Sequence, residues 1–97
     1  YKWNVSSATD MHGMFCGCKS FNQFINKWKI DKVIDLSYMF YDCIKFNKPL
    51  DNWEPRCVIN MECLFYNCQE LNQSFKDWDI SKVENTCYMF FNCPKTF

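Results

Sequence analysis

The chain is poor in the residues that usually punctuate a fold, with two Gly and three Pro among 97 residues. Its turns must be made by other residues, and Asn and Asp are suited to that. It has one His, His12. No Ser, Cys and His fall into a nucleophile motif, and no Gly-rich phosphate loop is present. The sequence therefore points away from an enzyme and calls for no cofactor. Charge of one sign is also missing: 11 basic and 11 acidic residues give a net charge of zero, with no block of either. That argues against nucleic acid, which rewards a basic face. No apolar run approaches the roughly 20 residues of a spanning helix, and no signal peptide is evident. The chain opens at Tyr1 and stops inside a repeat. We expect one domain and a segment of a longer array.

What the chain does have is a period. Trp3, Trp28, Trp53 and Trp78 stand 25 residues apart, and a fixed interval of this length is the mark of a repeat architecture. With Trp as column one, the expected coils are 3–27, 28–52, 53–77 and a partial 78–97. Column thirteen is Phe15, Phe40, Phe65 and Phe90. Column sixteen is Cys18, Cys43, Cys68 and Cys93. Column twenty is Asn22, Asn47 and Asn72. Phe97 falls one residue later than the register of the earlier coils requires.

Each coil changes its hydrophobic period once. Columns one to three alternate apolar and polar, the pattern of a short half-buried strand. Columns nine, twelve, thirteen and sixteen are apolar, which is helical spacing, and Asp or Asn stands just before them in the place of an N-cap. This predicts short helices near 10–18, 35–43, 60–68 and 85–93. Two turns of helix are not stable alone, so each must lay its apolar stripe on the neighbouring coils. Pro55 breaks the strand pattern of the third coil, because it has no N–H to give to a ladder.

Eight cysteines invite a disulfide framework. Four of them repeat in one inward column, where buried free Cys acts as a small hydrophobe. Vertical bridges between neighbouring coils are the alternative. Cys16, Cys57, Cys63 and Cys87 lie off that column, as candidates for a bridge, an exposed thiol or an intermolecular link. Cys16, Cys18 and His12 suggest zinc, but structural zinc wants a second ligand pair, and none exists. The expected metal is none. Asn4-Val5-Ser6 and Asn72-Gln73-Ser74 match the glycosylation pattern but carry little weight in an Asn-rich chain.

The run Asp35-Leu36-Ser37-Tyr38-Met39-Phe40-Tyr41-Asp42-Cys43, followed by Phe46-Asn47-Lys48-Pro49-Leu50-Asp51-Asn52-Trp53, resembles the unit of the BspA-like leucine-rich-repeat surface proteins, which also occurs in mycoplasma lipoproteins. The resemblance spans essentially the whole chain, with Pro55, Arg56, Cys57 and Thr86 departing from it. It implies an α/β repeat fold: a right-handed, leucine-rich-repeat-like solenoid of about four coils, each with a short strand and a short helix. It also implies a cell-surface or extracellular adhesive role. A virion or intracellular setting is the alternative.

Function, on this reading, sits opposite the inward stripe. Columns eleven and fourteen hold Tyr38, Tyr41, Tyr66, Tyr88 and Phe91, with Gly13, Cys16 and Cys63 as the other members. Outward aromatics of this kind mark interaction surfaces, although the rings can also simply stack on one another. The Asn column is read as structural, with buried side chains bonding turn amides. The expected partner is a protein, either an unknown one or another copy meeting this chain through coil ends or the aromatic strip. The alternative to a surface-displayed interaction module is a structural assembly component of a viral particle or cell-envelope layer.

Overall fold

The 25-residue interval reappears in the backbone. The computed structural model describes residues 5–94, and parallel bridges join Asp10 to Asp35, Asp35 to Asn60 and Asn60 to Asn85. Around each bridge the N–H groups of one repeat donate to the carbonyls of the next. Met11, Gly13, Phe15 and Gly17 donate to Asp35, Ser37, Met39 and Tyr41. Leu36, Tyr38, Phe40 and Asp42 donate to Asn60, Glu62, Leu64 and Tyr66. Met61, Cys63, Phe65 and Asn67 donate to Asn85, Cys87, Met89 and Phe91.

The expected α/β solenoid does not form. Among the described residues there is no helix, and isolated bridges are all the strand there is. The body measures 30 × 29 × 21 Å, a compact globule made of turns. The reason is in the hydrogen bonds. A helix gives each N–H to the carbonyl four residues back. Here alternate N–H groups go to the next repeat. Those between them go three residues back, as in Met39 to Leu36, Tyr41 to Tyr38 and Cys43 to Phe40. Asp10, Asp35, Asn60 and Asn85 do not cap helices. Each side chain takes the N–H two residues on, that of His12, Ser37, Glu62 or Cys87, which closes an Asx turn. Among the described residues the strands expected at the Trp columns are also absent. Trp28 and Ile30 are buried and Lys29 is exposed, but the backbone there turns, with the Val33 N–H on the Ile30 carbonyl.

Left-handed backbone completes the turns. Gly13, Tyr38, Cys63 and Tyr88 have φ of 63°, 59°, 53° and 54°, and Gly17, Asp42, Asn67 and Asn92 have 77°, 63°, 60° and 58°. These are columns eleven and fifteen of every repeat. Column fifteen carries the residues that tolerate this region. Column eleven carries Tyr twice and Cys once, at a cost on the order of 1–2 kcal/mol each.

Turns of four residues keep columns nine, twelve, thirteen and sixteen inward, so the core contains the residues with helical spacing. Phe40, Met39, Leu64, Phe65, Cys43 and Cys68 have no solvent exposure. Phe40 stacks on Phe65 at 5.5 Å and on Phe46 at 4.4 Å. Trp53 and Trp78 stack at 6.3 Å, and their indole N–H groups donate to the Ile25 and Leu50 carbonyls. Trp3, Asn4 and Phe97 lie outside the described residues. Pro55 is accommodated without distortion. Val58 closes on it as Val33 closes on Ile30, and the N–H groups of Ile30 and Ile80 make no backbone bond among the described residues, so a residue without one fits the column.

Candidate functional site

Columns eleven and fourteen put their side chains on one outer face. Tyr41 stacks on Tyr66 at 4.6 Å and 11°, and Tyr66 stacks on Phe91 at 4.8 Å and 18°. These spacings equal the separation of hydrogen-bonded backbones, so the ring pile follows from the bridges beneath it. Tyr38 leans on Tyr41 at 5.5 Å, and Tyr88 meets Tyr66 and Phe91 edge-on. Tyr38, Tyr41 and Tyr66 are half-buried, while Tyr88 is 66% and Phe91 50% exposed. All five sequence candidates thus form one connected strip.

Gly13 and Cys16 stand where the second repeat has Tyr38 and Tyr41. Their small size leaves an open hollow of about 450 Å³ beside Tyr38, lined by His12, Gly13, Cys16 and Tyr38. His12 meets Tyr38 edge-on at 5.8 Å, and its Nδ1 lies 2.8 Å from Oγ of the buried Ser37. The hydrogen-bonded Cys63 thiol raises the pKa of Tyr38, and burial raises that of Tyr41.

The family model described as Mycoplasma protein of unknown function, DUF285, matches residues 1–97. The chain belongs to the DUF285 family. The match is to this family and not to the BspA-like leucine-rich-repeat proteins that the motifs resemble. No curated protein and no solved structure matches.

In this DUF285 chain the remaining candidate columns are distributed as follows. Phe15 is buried and Phe90 is half-buried. The four column-sixteen thiols are free. Cys43, Cys68 and Cys93 donate to the carbonyls of Phe15, Phe40 and Phe65, each 28 residues back, while Cys18 is exposed. Burial pushes the Cys43 thiol up to about 12, and a hydrogen bond to Cys93 together with burial raises Cys68. Off the column, Cys16 and Cys87 are exposed, Cys57 is half-buried and Cys63 is buried, all of them free. Among the described residues no three His, Cys, Asp or Glu side chains converge on a metal-sized site.

Asn22, Asn47 and Asn72 are exposed and not buried as expected. They still join repeats: the Asn47 N–H donates to Asn22 Oδ1, and the Asn72 N–H to Asn47 Oδ1. The buried amide is Asn26, which donates to Asp51 and accepts from the Asn52 N–H. Sequence reasoning also missed column fifteen. There Asn67 donates to Asp42 and Asn92 donates to Asn67, both at 2.6 Å, forming a polar ladder beside the rings. The Gly, Asp and Asn composition of that column was the available signal. In this DUF285 chain no described helix is long and apolar enough to cross a membrane.

Proposed function

We propose that this chain is a non-enzymatic protein-interaction module, displayed at a cell surface, that holds a protein partner on the strip of Tyr38, Tyr41, Tyr66, Tyr88 and Phe91. The observation that carries this reading is a mismatch of cost and burial at Tyr88. It combines left-handed backbone, φ 54°, with 66% exposure. Strained non-Gly residues persist where the surrounding structure imposes them, and they cluster at functional sites. Tyr is also a favoured interface residue, because it offers area at low entropy cost. The hollow beside Tyr38 adds a place for an apolar side chain of the partner at one end of the strip. The zero net charge suits a protein partner better than a charged polymer.

The test uses a photo-reactive benzoylphenylalanine placed at Tyr66, or at the exposed Lys82 as control, with intact cells as the source of partners. This reading expects a discrete adduct from position 66 alone, and its loss when Tyr41→Ala is added, with the melting temperature little changed. Equal labelling from both positions would refute it.

A further inference from the structure

The side of the body that flanks the Trp columns carries charges whose sign reverses between the two middle repeats. Column two is Lys29 in the second repeat and Glu54 in the third, and column four is Asp31 and Arg56. Lys29, Glu54 and Arg56 are exposed and Asp31 is half-buried. All four border one open hollow of about 290 Å³, so they share a face. Arg56 ties that face together. Its Nη1 lies 2.7 Å from Glu54 Oε2, and its Nη2 lies 3.5 Å from Asp31 Oδ2. Beyond the turns that Val33 closes on Ile30 and Val58 on Pro55, column seven holds Ile34 and Ile59, which are 46% and 40% exposed. The Ile59 N–H donates to the Ile34 carbonyl, so the two stand on adjacent rungs.

This pattern is complementary to itself. Equal columns of neighbouring repeats stand about 4.8 Å apart along the stack. A half-turn about an axis that crosses the face between the second and third repeats exchanges their heights and keeps each column opposite itself. Lys29 then meets the second copy's Glu54, Asp31 meets the second copy's Arg56, and each pair occurs twice. Ile34 and the second copy's Ile59 come to the same height at the edge of the contact. Lys27 falls opposite Asn52 and Lys32 opposite Cys57, so neither lysine is set against a like charge. The four charges of the face sum to zero, and an approaching copy is not repelled. All these side chains belong to the middle repeats, on a face that runs alongside the stack. Repeats added before or after them would extend this face and not cover it.

We propose that two copies of this chain associate side by side and antiparallel through the face of Lys29, Asp31, Glu54 and Arg56. The same patch serves both copies, so the contact is isologous and closes as a dimer. Charge pairs of this kind fix orientation and register more than strength, and exposed pairs are each worth little. The association is therefore weak and falls with added salt. It uses neither the aromatic strip nor the first and last repeats.

The test is sedimentation at low salt as concentration is raised. The unmodified chain should show an average mass rising toward twice the monomer. Glu54→Lys sets Lys against the second copy's Lys29, and Lys29→Glu sets Glu against the second copy's Glu54. Each variant alone should self-associate about tenfold more weakly or worse. Mixed in equal amounts, the two variants regain opposite charges at both positions and should associate at least as well as the unmodified chain. If Glu54→Lys does not fold, Lys29→Arg supplies the comparison: it should associate as the unmodified chain does where Lys29→Glu stays monomeric. Tyr41→Ala with Tyr66→Ala should also associate as the unmodified chain does, which separates this proposal from the role given to the strip. An unmodified chain that is monomeric at every concentration, a mixture that associates no better than its separate components, or equal association of Lys29→Arg and Lys29→Glu would overturn the proposal.

Discussion

The thiol of Cys43 donates to the carbonyl oxygen of Phe15, 3.1 Å away and 28 residues earlier in the chain. Cys68 repeats the bond onto Phe40 at the same distance. The column is thus more than small apolar filler. Each thiol supplies a second hydrogen bond to a carbonyl that already receives a turn N–H, those of Cys18 and Cys43 respectively.

This arrangement makes stability sensitive to alkaline pH. Burial raises the Cys43 pKa from 9.0 to about 12. An unfolded chain loses that proton above about pH 9, whereas the folded chain keeps it. The stabilisation is complete below pH 9 and is lost as pH rises toward 12. Linkage sets the slope at about 1.4 kcal/mol per pH unit for each such thiol. Urea unfolding across this window should show the decline, and Cys43→Ser, which keeps a donor for Phe15 but does not titrate there, should make it shallower. An unchanged slope in Cys43→Ser would show that Cys43 is not the group responsible.

Phe40 has no exposure and stacks on Phe15, Phe46 and Phe65. Phe40→Ala should cost about 3–5 kcal/mol in urea unfolding, as for other buried Phe truncations. A loss below about 1 kcal/mol, the size of an ordinary surface effect, would show that the ring does not sit in a sealed core.

Tyr88 allows a test of the backbone separately from packing. At φ 54° and 66% exposure, it has strain to relieve and little burial to lose. Tyr88→Gly should leave stability unchanged within about 0.5 kcal/mol or raise it, while Tyr88→Val should lower it by about 1–2 kcal/mol, because a β-branched residue is worst at positive φ. Thermal melts that rank Val above Gly at this position would contradict the left-handed assignment.

Tyr41 and Tyr66 stack on the outer face at 4.6 Å. Removing both rings should cost about 0.5–1.5 kcal/mol, the worth of one aromatic pair beyond its area, plus whatever area their half-burial contributes. The double variant should remain folded by near-ultraviolet circular dichroism and lose partner binding. Unfolding of the double variant would place these rings in the core instead.

The sequence showed the 25-residue interval and which side chains share a column, because apolar residues recurring at fixed offsets leave a direct trace. It did not show the local geometry. Apolar residues at columns nine, twelve, thirteen and sixteen satisfy a helix, but they satisfy consecutive four-residue turns equally well, and periodicity alone does not separate the two. Column fifteen held the missing information. Gly17, Asp42, Asn67 and Asn92 are all residues that accept positive φ, and such a column inside a supposed helix argues for turns. Column eleven gave no such sign, since nothing about Tyr38 or Tyr88 marks a left-handed backbone. The resemblance to leucine-rich repeats strengthened the helical reading. At the candidate site the membership of the strip was legible from spacing. The stacking and the hollow at Gly13 were not, because both depend on how repeats lie over one another. The regular column of Asn22, Asn47 and Asn72 reads as an inner one, yet all three are exposed, and the side chains of Asn22 and Asn47 bond repeat to repeat at the surface.

Alternate N–H groups after each Asp or Asn of column eight serve the next repeat and not a helix. Scalar coupling across hydrogen bonds, measured by nuclear magnetic resonance on labelled protein, reads this directly. The Phe40 N–H should couple to the Leu64 carbonyl and the Tyr38 N–H to the Glu62 carbonyl. Coupling of Phe40 to Leu36 and of Tyr38 to Ile34, as a helix requires, would contradict it.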